Sequence, residues 1–117
     1  MENSILTSTK KILGIAEDYT AFDLDILVHI NSTFSILNQM GIGEEGFYIT
    51  DSLPVWEDFA PADEYNMVRS YVFLKVRMLF DPPGTSFLLT AMEKQIQEYE
   101  WRLSTKREWL LNPIDPR

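Results

Sequence analysis

Residues 62–80 read ADEYNMVRSYVFLKVRMLF, and the spacing of apolar residues in this stretch decides the fold. At about 100° per residue, Tyr65, Val68, Val72, Val76 and Leu79 fall on one helical stripe. Met67, Tyr71, Leu74 and Met78 fall on a second stripe beside it. Together they cover more than half the girth of a helix, leaving a narrow polar strip of Asn66, Arg69, Ser70 and Arg77. A helix apolar over so wide an arc is central to its own core, shared with a neighbouring subunit, or both. With few other helices to cover it, both roles are expected here. Met67, Tyr71, Leu74, Lys75 and Met78 are therefore the expected subunit–subunit contacts. Lys75 interrupts the apolar arc, so its ammonium must reach water or meet an acid.

Downstream, Asp81-Pro-Pro-Gly84 ends this helix, because two prolines cannot continue the hydrogen-bond ladder. Thr85 or Ser86 is placed to cap a following helix with its face at Leu88, Met92, Ile96, Tyr99 and Leu103, running as far as Trp109. Its prolines predict that the tail, residues 110–117, is extended. Upstream lies GIGEEGFYITDSLPVWEDFAP, residues 41–61. Glycines, Pro54 and Pro61 rule out one continuous helix there, leaving room for a turn of helix around Val55–Phe59. Phe47, Tyr48, Trp56 and Phe59 argue that this long loop is packed rather than disordered.

Before the loop, Ile26, Ile30, Phe34 and Leu37 form one face of a helix that reaches about Met40, stopped by Gly41 and Gly43. Thr20-Ala-Phe-Asp23 has capping-box form, with Tyr19 and Leu24 at staple positions. Ser4 is placed to cap a first short helix that ends at Gly14, with Lys10 and Lys11 favourably in its last turn. The expected fold is all-α: a small bundle of about four helices. A long irregular loop separates helices two and three, and an extended tail follows. One helical domain over residues 1–109 precedes that tail at 110–117.

Charge is partitioned along the chain. Residues 12–68 hold eleven acidic residues and no Lys or Arg, residues 69–117 have net charge +2 and residues 1–11 have +1, making the −8 of the whole. A molecule with unlike electrostatic faces suits head-to-tail association with copies of itself. It is badly suited to gripping phosphates, which require clustered bases. No cysteine is present, which removes disulfides and thiolate metal sites and fits a reducing compartment. The N-terminus lacks the pattern of a signal peptide, and no apolar run has membrane-spanning length. A soluble protein made in the cytoplasm is expected.

No constellation of residues amounts to an active site. His29 is the sole histidine and lies at the edge of the second helix's apolar face. It reads as a boundary residue, and one histidine without cysteine makes a zinc or iron centre a poor fit. Asp23/Asp25 and Glu57/Asp58 sit where helix starts favour acids. The glycines of GIGEEG neither follow a strand nor open a helix, so they do not form a phosphate cradle. No catalytic residue, metal site or cofactor is expected. Trp101, by contrast, points away from the Leu88/Ile96/Tyr99 face and reads as an interface anchor.

The order of several segments resembles a known family. ILTSTKKILGI (5–15), FDLDILVHINSTFSILNQMGIG (22–43), GFYITD (46–51), VWEDF (55–59), VRSYVFLKVRMLFDPPG (68–84) and MEKQIQEYEWRL (92–103) resemble the small head–tail connector proteins of tailed bacteriophages and prophages. These are also called head-completion or adaptor proteins. The resemblance implies a mostly helical subunit of a ring, commonly of twelve, beneath the portal protein at a capsid vertex. Such a ring extends the DNA channel and offers a docking surface to the next tail-proximal stopper or completion protein. It places the protein in the virion neck, after assembly in the bacterial host cytoplasm.

In that family the C-terminal helix and tail engage the portal, which carries over to Trp101, Arg102, Lys106, Arg107, Trp109, Leu110 and Leu111. Glu44, Glu45 and Asp51 are candidate channel-facing acids, because like charge lets DNA slide through without specific binding. The competing readings are a helical DNA-binding regulator and a monomeric protein-interaction adaptor. Net charge of −8 and a second helix with no basic residue count against the regulator.

Overall fold

In the computed structural model of the protein, the backbone is described for residues 3–111 and the side chains for residues 3–105. Among these residues the fold is all-helical. The elements are α1 (Ile5–Ile12), α2 (Asp23–Gln39), α3 (Trp56–Phe59), α4 (Tyr65–Phe80) and α5 (Ser86–Leu111). Four helices of the expected kind are present, and α3 is the single turn inside the 41–61 loop. The principal helix–helix contacts are α2 with α4 and α4 with α5, so α4 lies at the centre.

α1 begins where Ser4 accepts a hydrogen bond from the Thr7 amide, and Lys10 and Lys11 occupy its last turn. Its far end is held differently from expectation. Lys10 is buried, with Nζ 2.8 Å from Asp23 Oδ1 and 3.0 Å from the Glu17 carbonyl to which it donates. That pairing replaces the capping box read from Thr20 and Asp23. α2 starts at Asp23 after Phe22, with no side-chain cap, and the Asp23 amide donates to the Thr20 carbonyl in a turn. The Asp23 carboxylate is drawn to a buried cation instead of its own helix terminus. Leu24, read as one half of a staple, is exposed, and Tyr19 packs on Phe22.

The core face of α2 follows the sequence: Ile26, Ile30, Phe34 and Leu37 are fully buried. They pack with Val68, Val72 and Val76 of α4, also fully buried, in one cluster. α4 begins at Tyr65, and the Pro61 carbonyl accepts from both the Glu64 and Tyr65 amides in the turn that leads into it. Leu79, at the end of the first stripe, is half exposed.

The 41–61 loop is packed down by aromatic and polar contacts. Phe59 stacks on Phe34 with centroids 4.3 Å apart, and Phe47 closes on both rings. Trp56 is fully buried against Phe34 and Phe73, and its indole N–H donates to Ser8 Oγ. Tyr48 alone of the four loop aromatics points outward. Two asparagines of α2 hold the loop backbone. Asn31 both donates to the Ile49 carbonyl and accepts from its amide, while Asn38 donates to Ile42 and Glu44 and accepts from Gly46. The loop's far end pairs with the N-terminal segment, where Ser4 and Val55 form an antiparallel bridge.

α5 is capped by Thr85, whose Oγ1 accepts from the Leu88 amide. At 26 residues it spans about 39 Å at ~1.5 Å rise per residue. It continues through Leu110 and Leu111, which the sequence assigned to the extended tail. Leucine is a strong helix former, and Pro113 restrains only the residue before it. The rest of that tail, residues 112–117, lies outside the described residues. Among the described residues no helix is long and apolar enough to cross a membrane.

Candidate functional site: the docking faces of the protomer

The centre of α4 uses its second stripe inside the protomer. Tyr71 is fully buried, and its hydroxyl donates to Glu100 Oε2 of α5 at 2.8 Å. Burial, then the hydrogen bond and charge of Glu100, raise the phenol well above its ordinary value, so it stays neutral. Lys75 meets the same carboxylate oxygen at 3.7 Å, which answers how its ammonium is accommodated. Tyr71, expected as a contact with a neighbouring subunit, is instead an interior residue of its own fold. α5 covers it, an assignment that periodicity alone could not make. Met67, Leu74, Lys75 and Met78 are half-buried and retain surface.

Leu74 lines a shallow apolar groove between α4 and α5, with Arg77, Pro83, Leu88, Ala91 and Met92. On α4 Leu74 lies about 160–200° round the helix from Val72 and Val76. The groove therefore opens on the side of α4 away from α2. Leu88 is 53 % exposed there, and Phe87 beside it is 79 % exposed.

Further along α5, Trp101 is 67 % exposed, directed away from the buried Ile96 and Leu103. Arg102, next to it, is held on the helix surface by Glu98, whose Oε2 accepts from Nε at 2.9 Å and from Nη2 at 2.7 Å. The side chains of Lys106, Arg107, Trp109, Leu110 and Leu111 lie outside the described residues.

Glu44, Glu45 and Asp51 are all exposed on the loop. The loop presents them on a fixed backbone: the Glu44 amide donates to the Phe59 carbonyl, and Asp51 Oδ1 accepts from the Leu53 amide. Glu57 and Asp58 behave as helix-start acids. Glu57 accepts from the Asn3 side chain, and Asp58 Oδ2 accepts from the Val55 amide. His29 is half-buried with its ring edge-on to Phe80 at 6.5 Å. No group of three or more His, Cys, Asp or Glu side chains that could hold a metal occurs among the described residues.

Reading the sequence missed Glu100, which joins Tyr71 and Lys75, and the two asparagine clamps of α2. Glu100 carried a usable signal, since a lysine inside an apolar arc demands an acid. The clamps carried none, because asparagine on a helix surface has no distinctive spacing.

The described surface carries an acidic loop, an apolar groove and an exposed tryptophan on a long helix. No curated protein and no solved structure matches the chain. The family model described as phage connector protein matches residues 5–109, which takes in α1 to α4, the loop that carries the acids and all but the last two residues of α5. With nearly its whole length inside that match, the chain belongs to the phage connector protein family.

Proposed function

We propose that this protein is a head–tail connector subunit that assembles as a ring, of twelve copies, beneath the portal protein. The ring extends the DNA channel and gives the next tail-proximal protein its docking surface. The observation that carries the reading is the family match over residues 5–109. The division of charge supports it: eleven acids and no base between residues 12 and 68 suit contacts between unlike faces and a conduit that DNA passes without sticking.

In this reading Trp101 and Arg102, together with Lys106, Arg107, Trp109, Leu110 and Leu111, form the arm that meets the portal. Met67, Leu74, Lys75 and Met78 face a neighbouring copy, and Glu44, Glu45 and Asp51 line the channel. The protein works without catalysis or a cofactor. It resides in the virion neck after assembly in the bacterial cytoplasm. Electron cryomicroscopy of virions, with the protein fused to a small marker domain, tests the assignment. Marker density in a ring between portal and tail is the expected result. Its absence from the neck overturns the proposal.

A further inference from the structure

Among the described residues nothing covers the outward face of α2. Leu24 is 74 % exposed and Val28 53 % exposed. Spaced i, i+4, they form one apolar ridge opposite the buried Ile26 and Ile30. Asp25 is exposed beside them, and residues 12–68 supply no base to the surrounding surface. A separate apolar surface is the groove between α4 and α5. Its floor is Leu74, Leu88, Ala91 and Met92, and Arg77 stands on its rim. Lys94 is exposed one turn further along α5. Asp81, whose carbonyl accepts from Arg77 Nε, closes the rim at the turn.

No residue of α2 lines the groove, so ridge and groove do not meet within one chain. We infer that neighbouring copies join heterologously, with the Leu24–Val28 ridge of α2 on one copy seated in the α4–α5 groove of the next. Two features favour a second copy as the occupant. A pair of apolar side chains one turn apart is the shape that a groove between two helices accepts. The exposed Asp25 beside the ridge is matched in charge by Arg77 on the rim of the groove. Ridge and groove are separate surfaces made by different residues, so each copy offers one of each to its two neighbours. Such a contact propagates around a ring instead of ending at a dimer. The inference rests on the ring proposed above and names the surfaces that would form it.

The chain has no cysteine, so a site-specific cross-link tests this directly. Phage particles are assembled with the double variant Val28→Cys/Leu88→Cys, or with either single variant, and oxidised or treated with a short bismaleimide. Denaturing gels then read the connector band. Both positions are exposed, so circular dichroism of the purified variants should match the parent. The double variant should give a ladder of two, three and more copies, with each single variant remaining monomeric. A dimer from Val28→Cys alone shows α2 meeting α2 and overturns the inference. Particles with a ring in the neck but no ladder overturn it as well, leaving the ring itself standing. Particles with no ring in the neck overturn both.

Discussion

Gly43 is the point at which the acidic loop depends on a missing side chain. Its φ of +82° is a left-handed conformation, which costs a residue with a Cβ about 1–2 kcal/mol. A Cβ at this position would also come within 2.1 Å of Phe59 Cζ. The ring cannot withdraw, because Phe59 is 2 % exposed and is held between Phe34 and Phe47. Overpacking of this kind adds about 1–3 kcal/mol, so Gly43→Ala should cost ~2–5 kcal/mol in all. At about 4 °C per kcal/mol for a domain of this size, the thermal midpoint should fall by ~8–20 °C.

Two other glycines separate the causes. Gly46 has φ +76° with open space around its Cβ position, so Gly46→Ala should cost only the backbone part, about 1–2 kcal/mol. Gly84 has open space and no positive φ, so Gly84→Ala should be neutral or slightly stabilising. Thermal and urea unfolding followed by circular dichroism measure all three. Equal losses for Gly43→Ala and Gly46→Ala, within about 0.5 kcal/mol, would refute the argument that Phe59 packs directly over Gly43.

Tyr71 should make stability fall at high pH. Its folded pKa is raised above the ordinary value of 10.0, so above about pH 10 the unfolded chain releases a proton that the folded chain keeps. The resulting slope approaches ~1.4 kcal/mol per pH unit, and Tyr71→Phe should remove it while lowering stability below pH 9 by about 1–3 kcal/mol through the lost hydrogen bond to Glu100. Urea titrations between pH 8 and 11 compare the two, and parallel curves would show that Tyr71 does not carry the effect. Trp101→Ala should leave circular dichroism nearly unchanged, since the ring is mostly in water, yet impair attachment to the portal in a pull-down. Unfolding of that variant would instead make Trp101 part of the core. Replacing Glu44, Glu45 and Asp51 together by Lys should slow DNA release from virions in a dye-release assay, and unchanged release would remove these acids from the channel.

The parts of the fold legible in the sequence are those fixed by short-range periodicity and breakers. Ile26, Ile30, Phe34 and Leu37 repeat at helical spacing, and Pro82-Pro83 and Gly41 mark ends, so α2, α4 and α5 could be placed to within a few residues. What could not be read are choices between local and distant partners. Thr20 and Asp23 carry a sound capping pattern, but Asp23 is claimed by Lys10, thirteen positions earlier in the chain. Leu110 and Leu111 were judged by the nearby proline, although their own propensity prolongs the helix. At the docking faces, exposure of Trp101 and the loop acids followed from wheel position and composition. The burial of Tyr71 depended on which side of α4 receives α5, and a single helix cannot announce that.

The wide apolar arc of α4 has a simpler account once its neighbours are in place. Val68, Val72 and Val76 turn to α2, Tyr71 and Lys75 turn to Glu100 on α5, and Phe73 turns to Trp56. The arc is consumed largely inside the protomer, so the exposed apolar side chains lie mostly on other elements: α1, the loops, α2 and α5. Leu24 and Val28 are on one side, and Phe87, Leu88 and Trp101 are on α5. A two-fold dimer asks for one self-complementary patch, whereas this subunit divides its exposed apolar surface between separate faces with unlike charge around them. That division supports the ring proposed above, in which each subunit touches a copy on each side and a different protein above or below. It follows from α4 being the middle helix, because only a helix covered on both flanks leaves its two coverers each with a bare back.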